Sequence, residues 1–222
     1  MKRGLAERVR RTRAFNRLAK DRRFRLVAVA AVNMGVNLIF ALFNAVISIA
    51  YLSAWNGVMC TYHAALGLIK LNIVDSERRG MSPAREKRTL LVTGAGLLAL
   101  AVILSLTVML TIRDAVLVRY HMYVTIGIAA FTFALVATAV TSAAKARKSG
   151  DGTLVMLKSV SLAAAVGSVL ALERAMLGTF GGGAERFAQV VAGVSGLVGF
   201  MIAVILGALL LARARRIGRQ GK

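Results

Sequence analysis

The chain has 222 residues, of which 58% are hydrophobic and only one is proline, and its mean hydropathy is +0.70. This composition lies outside the range of ordinary soluble domains and is typical of an integral membrane protein. The single cysteine, Cys60, excludes an internal disulfide and a cysteine-based zinc or redox centre.

Six apolar runs are each about as long as the roughly 20 residues that one membrane-spanning helix needs. They are residues 26–50, 54–74, 90–112, 120–143, 153–177 and 187–211. We therefore predict an all-α integral membrane bundle of six transmembrane helices. The predicted domains are a basic arm at 1–25, the transmembrane domain at 26–212 and a basic tail at 213–222.

The net charge of +21 is concentrated at alternate ends of these runs. Basic residues cluster within 2–25, 78–88, 145–148 and 213–222, whereas the opposite connections carry only Arg113, Arg119 and Arg186. An excess of Lys and Arg marks cytoplasmic segments, so we predict that both termini are cytoplasmic in a bacterial inner membrane. We also predict that these charges contact anionic lipids at the cytoplasmic face, and not nucleic acid.

The first and second predicted helices each carry a polar stripe. At 100° per residue, Asn33, Asn37 and Asn44 share one face of the first helix. One face of the second helix collects Asn56, Cys60, His63, Gly67 and Lys70. Amides and imidazoles are costly against lipid tails, so both stripes should face the interior of the bundle. Because a short turn joins the two helices, we predict antiparallel neighbours whose stripes meet in a polar seam.

The polar seam supports three interpretations of His63. The first is a structural hydrogen bond to Asn44, which matches its depth, or to Asn37, directly or through water. The second is contact with a solute or a proton, with Asn33, Asn37, Asn44, Cys60 and His63 as the ligand-binding residues. The third is a metal on Cys60 and His63, but such a site needs further ligands, so we predict no metal and no other cofactor.

Three charged residues lie within the fifth predicted helix. Lys158 is near its inner end, and Glu173 and Arg174 are about one turn from its outer end. Long side chains near helix ends can reach the lipid headgroups, and we expect this of all three. A buried ion pair between Glu173 and Arg174 is the alternative.

The last predicted helix carries a ridge of small residues at intervals of four. Its members are Ser195, Gly199, Ala203 and Gly207. Such a ridge lets two helix backbones approach closely inside a membrane. We expect the ridge to pack within the chain, and an interface with a second copy or with another membrane protein is the alternative.

The sequence GVSG at 193–196 matches the Gly-x-Ser-Gly motif around the nucleophilic serine of rhomboid intramembrane proteases, which also have six core helices. In that family the serine precedes a histidine on the last core helix. Here Ser195 is itself on the last predicted helix, and His63 and His121 both precede it. We therefore predict that the protein is not an enzyme.

Two segments, SAWNGVMCTYHAALGLIKLNIV at 53–74 and KSVSLAAAVGSVLALERAMLGTFG at 158–181, resemble those of uncharacterised bacterial six-helix integral membrane proteins. The size and the six spans also resemble the substrate-binding membrane subunits of energy-coupling-factor vitamin transporters. Both resemblances imply an architecture and no particular activity. We predict a component that binds or transports a small solute through the polar seam. The alternative is an accessory or scaffold protein that docks partners through its basic cytoplasmic face and sixth helix.

The predicted topology can be tested with single cysteines placed at Ser76 and Gly182 in a Cys60→Ala background. An impermeant thiol reagent added to intact cells should label position 182, which we place outside, and spare position 76, which we place in the cytoplasm. Ready labelling at position 76 with protection at position 182 would overturn the predicted orientation.

Overall fold

In a computed structural model of the protein, residues 22–113, 119–149, 151–181 and 185–220 are described. They form six helices and no strand: α1 (Arg22–Tyr51), α2 (Ala54–Arg78), α3 (Pro83–Arg113), α4 (Met122–Ser149), α5 (Gly152–Phe180) and α6 (Glu185–Gln220). Each helix is long and apolar enough to cross a membrane. The predicted all-α, six-helix architecture is confirmed at this level and suggests a multi-pass membrane protein. Residues 1–21 of the predicted basic arm lie outside the described residues.

The helices extend beyond the apolar runs that predicted them. The connection between α2 and α3 is only residues 79–82, and α6 continues to Gln220 through most of the predicted tail. Pro83 begins α3, where a missing backbone N–H costs nothing. Gly80 supplies the positive φ of 82° that turns the chain. The Arg85 guanidinium closes this turn by donating from Nη1 to the carbonyl oxygens of Arg79 and Gly80, each at 2.6 Å.

One end of the bundle, which we call the basic end, is where α2 ends and α3 and α5 begin. There the Thr153 hydroxyl of α5 donates to Glu77 of α2 at 2.8 Å, and the Thr89 hydroxyl of α3 donates to Ser76 of α2 at 3.1 Å. At the opposite end, the hydroxyl oxygens of Thr125 in α4 and Thr179 in α5 are 3.0 Å apart. These side-chain bonds connect neighbouring helices at both ends.

Helix α5 is the central element, in contact with all five of the other helices. A Cβ on Gly167 of α5 would lie 2.5 Å from Cε1 of Tyr62 in α2, so only glycine admits this ring. The Tyr62 hydroxyl then donates to the Ala163 carbonyl oxygen at 2.7 Å. Tyr62 is fully buried, and this contact joins α2 directly to the centre of the bundle.

Helices α3 and α6 form the most extensive helix pair, and the predicted small-residue ridge lies in their contact. A Cβ on Gly207 would lie 2.9 Å from Cγ of Leu98 and 3.0 Å from the Gly94 carbonyl oxygen. Ala203 is buried. A Cβ on Gly199 would lie 2.9 Å from Val166 Cγ1 of α5. Gly199, Ala203 and Gly207 therefore pack within the chain.

One residue of the predicted ridge is less buried than the other three. Ser195, the remaining member of the ridge, is half-buried, and its hydroxyl donates to the Ala192 carbonyl of its own helix at 3.3 Å.

Arg174 was expected to reach the headgroups, but it is buried and its Cζ lies 5.0 Å from the centroid of the Trp55 ring. Such a cation–π contact offsets part of the cost of burying the guanidinium.

Helices α1 and α4 are the outer members of the bundle. Helix α1 packs on α2 and more lightly on α5, whereas α4 packs on α5. Within the described residues the backbones of α1 and α4 do not approach one another. Their aromatic side chains do meet, since the ring centroids of Phe40 and Phe131 are 5.2 Å apart. A gap between α1 and α4 is therefore left open in the half of the bundle nearer the basic end.

The α3–α6 packing predicts that Gly207→Leu lowers stability by about 1–3 kcal/mol, because the side chain meets Leu98 and the Gly94 backbone. The control is Gly193→Leu on the same helix, where no atom lies within 4 Å of the added Cβ. Both changes add similar helix propensity. Thermal unfolding in detergent should separate them, and equal melting temperatures would show that Gly207 does not face α3.

Candidate functional site

A cavity of about 380 Å³ occupies the gap between α1 and α4, with α2 and α5 forming its floor. Its volume lies within the range of about 300–1,000 Å³ that is typical of small-molecule sites. The polar side chains that line it include Asn33, Asn37, Lys70, Thr138, Lys158 and Ser161. A second cavity of about 290 Å³ lies between α4, α5 and α6, and Lys158 lines both.

Two lysines face the larger cavity from different helices. Lys70 of α2 is only 2% exposed, and Lys158 of α5 is half-buried. The two positive charges repel each other. No aspartate or glutamate is among the described residues that line the cavity. A buried ammonium group without a counter-charge costs several kcal/mol, so Lys70 either has an anionic partner or is neutral.

The hydrogen-bonding groups at the cavity wall include an amide nitrogen without a partner. Asn37 is 3% exposed, and its Nδ2 has no partner among the described residues. The hydroxyls nearby already donate to carbonyl oxygens of their own helices: Ser161 to Leu157 at 2.9 Å and Thr138 to Ala134 at 2.8 Å. The two ammonium groups therefore remain available to a ligand, whereas the Asn37 Nδ2 is itself buried.

The structure places only two of the five predicted ligand-binding residues, Asn33 and Asn37, at the cavity. Asn44 is buried, but its Nδ2 donates to the Phe40 carbonyl oxygen of its own helix at 2.8 Å. Cys60 is half-buried on α2 and is not part of the cavity wall. The polar stripes do face the interior, as predicted, but their members are not gathered into one site.

His63 is buried against α1, as predicted, but not through a hydrogen bond. Its ring centroid lies 5.1 Å from that of Phe40 and 5.5 Å from that of Tyr62. Neither ring nitrogen has a hydrogen-bond partner among the described residues. The predicted direct bond to Asn44 or Asn37 is wrong, because Asn44 bonds to its own helix and Phe40 occupies the space that faces the imidazole.

The sequence interpretation left both lysines out of the site. Lys70 was placed on the polar stripe of the second helix without a role, and Lys158 was expected to reach the headgroups. The structure directs Lys158 to the cavity because α5 is surrounded by other helices. The sequence did contain a signal for both lysines, because a lysine within a spanning run is costly unless it faces the bundle interior or a water-filled cavity.

Comparison with known proteins identifies no relative: no family model, no curated protein and no solved structure matches the chain. Among the residues that the structure describes, no group of three His, Cys, Asp or Glu side chains is placed to hold a metal ion. The cavity between α1 and α4 is therefore the site that the chain's own residues favour.

The surroundings of His63 predict that His63→Phe keeps or raises stability, because it removes two unpaired buried nitrogens and retains an aromatic ring. The control is Tyr62→Phe, which deletes the bond to Ala163 and should cost about 0.5–1.5 kcal/mol. Thermal unfolding in detergent compares the two. A larger loss for His63→Phe than for Tyr62→Phe would mean that the imidazole makes hydrogen bonds in the native protein.

Proposed function

We propose that the protein is a multi-pass protein of the bacterial inner membrane that binds a small solute in the cavity between α1 and α4, as a component of a transport process. The observation that carries this proposal is Lys70, an ionisable side chain 2% exposed at the wall of a cavity within an apolar helical bundle. Ionisable residues inside membranes are rare, and they mark solute pathways more often than structural contacts.

The packing of the outer helices supports entry of a solute between them. Within the described residues α1 and α4 flank the gap without backbone contact, and cavities lie on both sides of α4 at its half nearer the basic end. No backbone contact holds α1 to α4 within the described residues, so a small separation of the two helices widens the entrance without disturbing the α3–α6 pair.

We place the basic end at the cytoplasmic face, with both termini inside. The excess of Lys and Arg at this end supports that orientation. The cavity then lies in the cytoplasmic half of the membrane, and the surrounding basic surface contacts anionic lipids. These charges also support the alternative role as a scaffold. The ridge on α6 adds little to that alternative, because Gly199, Ala203 and Gly207 pack within the chain.

The serine of the Gly-x-Ser-Gly sequence contributes to helix packing. Ser195, the serine of the Gly-x-Ser-Gly sequence, donates its hydroxyl proton to the Ala192 carbonyl oxygen. Its neighbour Gly196 packs tightly on Val108 of α3, so this part of α6 serves helix packing. Binding, rather than bond cleavage, is the activity that the cavity supports.

Filling the cavity tests the proposal. Ala139 of α4 is buried at the cavity wall, whereas Ala134 of the same helix is exposed. Native mass spectrometry of protein extracted from cells should show a non-covalently retained solute on the wild type and on Ala134→Phe. Ala139→Phe should lose it, because the ring occupies the cavity.

A second filling variant keeps the test decisive if Ala139→Phe does not fold. Thr138→Phe adds a ring at an exposed position of the same wall and should also abolish retention. A wild-type spectrum without any added mass, or an added mass that both filling variants retain, contradicts binding in this cavity.

A further inference from the structure

We propose that the ligand of this cavity is an anion that carries a phosphate group, held between the ammonium groups of Lys70 and Lys158. This inference rests on the proposed solute-binding function, because it names the chemical class of the solute. It is supported by the charge of the cavity wall, the placement of the lining polar side chains on different helices, and the depth of the two lysines in the bundle.

The positive charge of the cavity wall favours an anionic ligand. Two positive charges face the cavity, and no carboxylate is among its described lining residues. The nearest carboxylates along the chain from Lys70 are engaged elsewhere, since Asp75 pairs with Arg79 at 2.8 Å and Glu77 accepts from Thr153. A cation would be repelled, and a neutral solute would leave both ammonium groups without a counter-charge.

Polar side chains line the cavity from three helices, which favours a phosphate over a smaller, planar anion. Lys70 lies on α2, Lys158 on α5 and Asn37 on α1, and all three line the same space. A phosphate group presents oxygens in several directions, so separate helices can each contact one. Lysine binds phosphate as a point charge, whereas planar, bidentate recognition of a carboxylate favours arginine. The cavity of about 380 Å³ leaves room for a substituent on the phosphate.

The depth of the lysines allows two sources for this phosphate. Lys158 is about 9 Å along α5 from its first residue, and Lys70 is about 12 Å along α2 from its last residue, at 1.5 Å per residue. A water-soluble phosphate compound can reach this depth from the basic end. The phosphate of an anionic lipid headgroup can reach it sideways through the gap between α1 and α4.

The first experiment uses inorganic phosphate as the probe. Purified protein in a non-ionic detergent is unfolded by heat with and without low-millimolar phosphate at matched ionic strength. At ten times the dissociation constant the wild type should gain roughly 3–6 °C in melting temperature. Lys70→Gln and Lys158→Gln should each lose this gain. Lys87→Gln, at an exposed lysine outside the cavity wall, is the control and should keep it.

The second experiment separates the two sources. The protein is reconstituted into nanodiscs of phosphatidylcholine alone or mixed with phosphatidylglycerol. Native mass spectrometry then counts the phosphatidylglycerol molecules that the protein retains after it is released from the nanodisc. One retained molecule that disappears in Lys70→Gln and Lys158→Gln, but not in Lys87→Gln, identifies a lipid headgroup. A lysine-dependent gain with inorganic phosphate in detergent, without retained phosphatidylglycerol, identifies a soluble phosphate compound.

Either lysine-dependent outcome supports the inference, and two outcomes overturn it. One is no response to either probe. The other is a response of equal size in the lysine variants, which would place phosphate on the outer basic surface. If Lys70→Gln does not fold, the Lys158→Gln variant, at a half-buried position, still provides the test. If a solute is still lost on filling the cavity with Ala139→Phe, the proposed binding function stands and only its phosphate chemistry is wrong.

Discussion

The contact of Tyr62 with Gly167 and Ala163 fixes the position of α5, and the rest of the bundle depends on it. Because α5 has small side chains on several faces, neighbouring helices approach its backbone closely and a tyrosine ring can lie against it. The same property produces the cavity. Where Ala164 and Ala165 of α5 face Ala139 of α4, no side chain is large enough to fill the space, and an opening remains beside Lys158.

Two groups of buried polar side chains differ in whether they bond within their own helix. Asn44 and Ser168 are buried, but each bonds to a carbonyl oxygen of its own helix, at 2.8 Å and 3.0 Å, and so contributes little that a ligand could use. Asn37 and Lys70 are equally buried and line the cavity, and the Asn37 Nδ2 has no hydrogen-bond partner among the described residues. Since a buried polar group without a partner is costly, the second group is where a ligand adds most to stability.

The sequence could predict the elements because each depends on local composition or periodicity. Runs of about 20 apolar residues predicted six helices, the short turn near Ser53 predicted the α1–α2 pair, and the four-residue spacing from Gly199 to Gly207 predicted a packed ridge. It could not predict which helix lies at the centre, which depends on contacts among distant segments. For that reason the prediction that the Lys158 side chain reaches the headgroups was wrong. A helix that is apolar on most of its faces, as α5 is, favours a buried position in the bundle. The predicted bond between His63 and Asn44 was also wrong, because the Asn44 amide donates to the Phe40 carbonyl oxygen four residues away in its own helix.

The central claim is that the cavity holds a charged ligand between Lys70 and Lys158. An experimental density map of the protein in nanodiscs, prepared without removing bound molecules, tests it most directly. The predicted result is a compact density in the gap between α1 and α4, within salt-bridge distance of both lysine Nζ atoms and beside the Asn37 amide. A gap filled only by a lipid acyl chain, with the Lys70 ammonium bonded to groups of the protein itself, would contradict the claim.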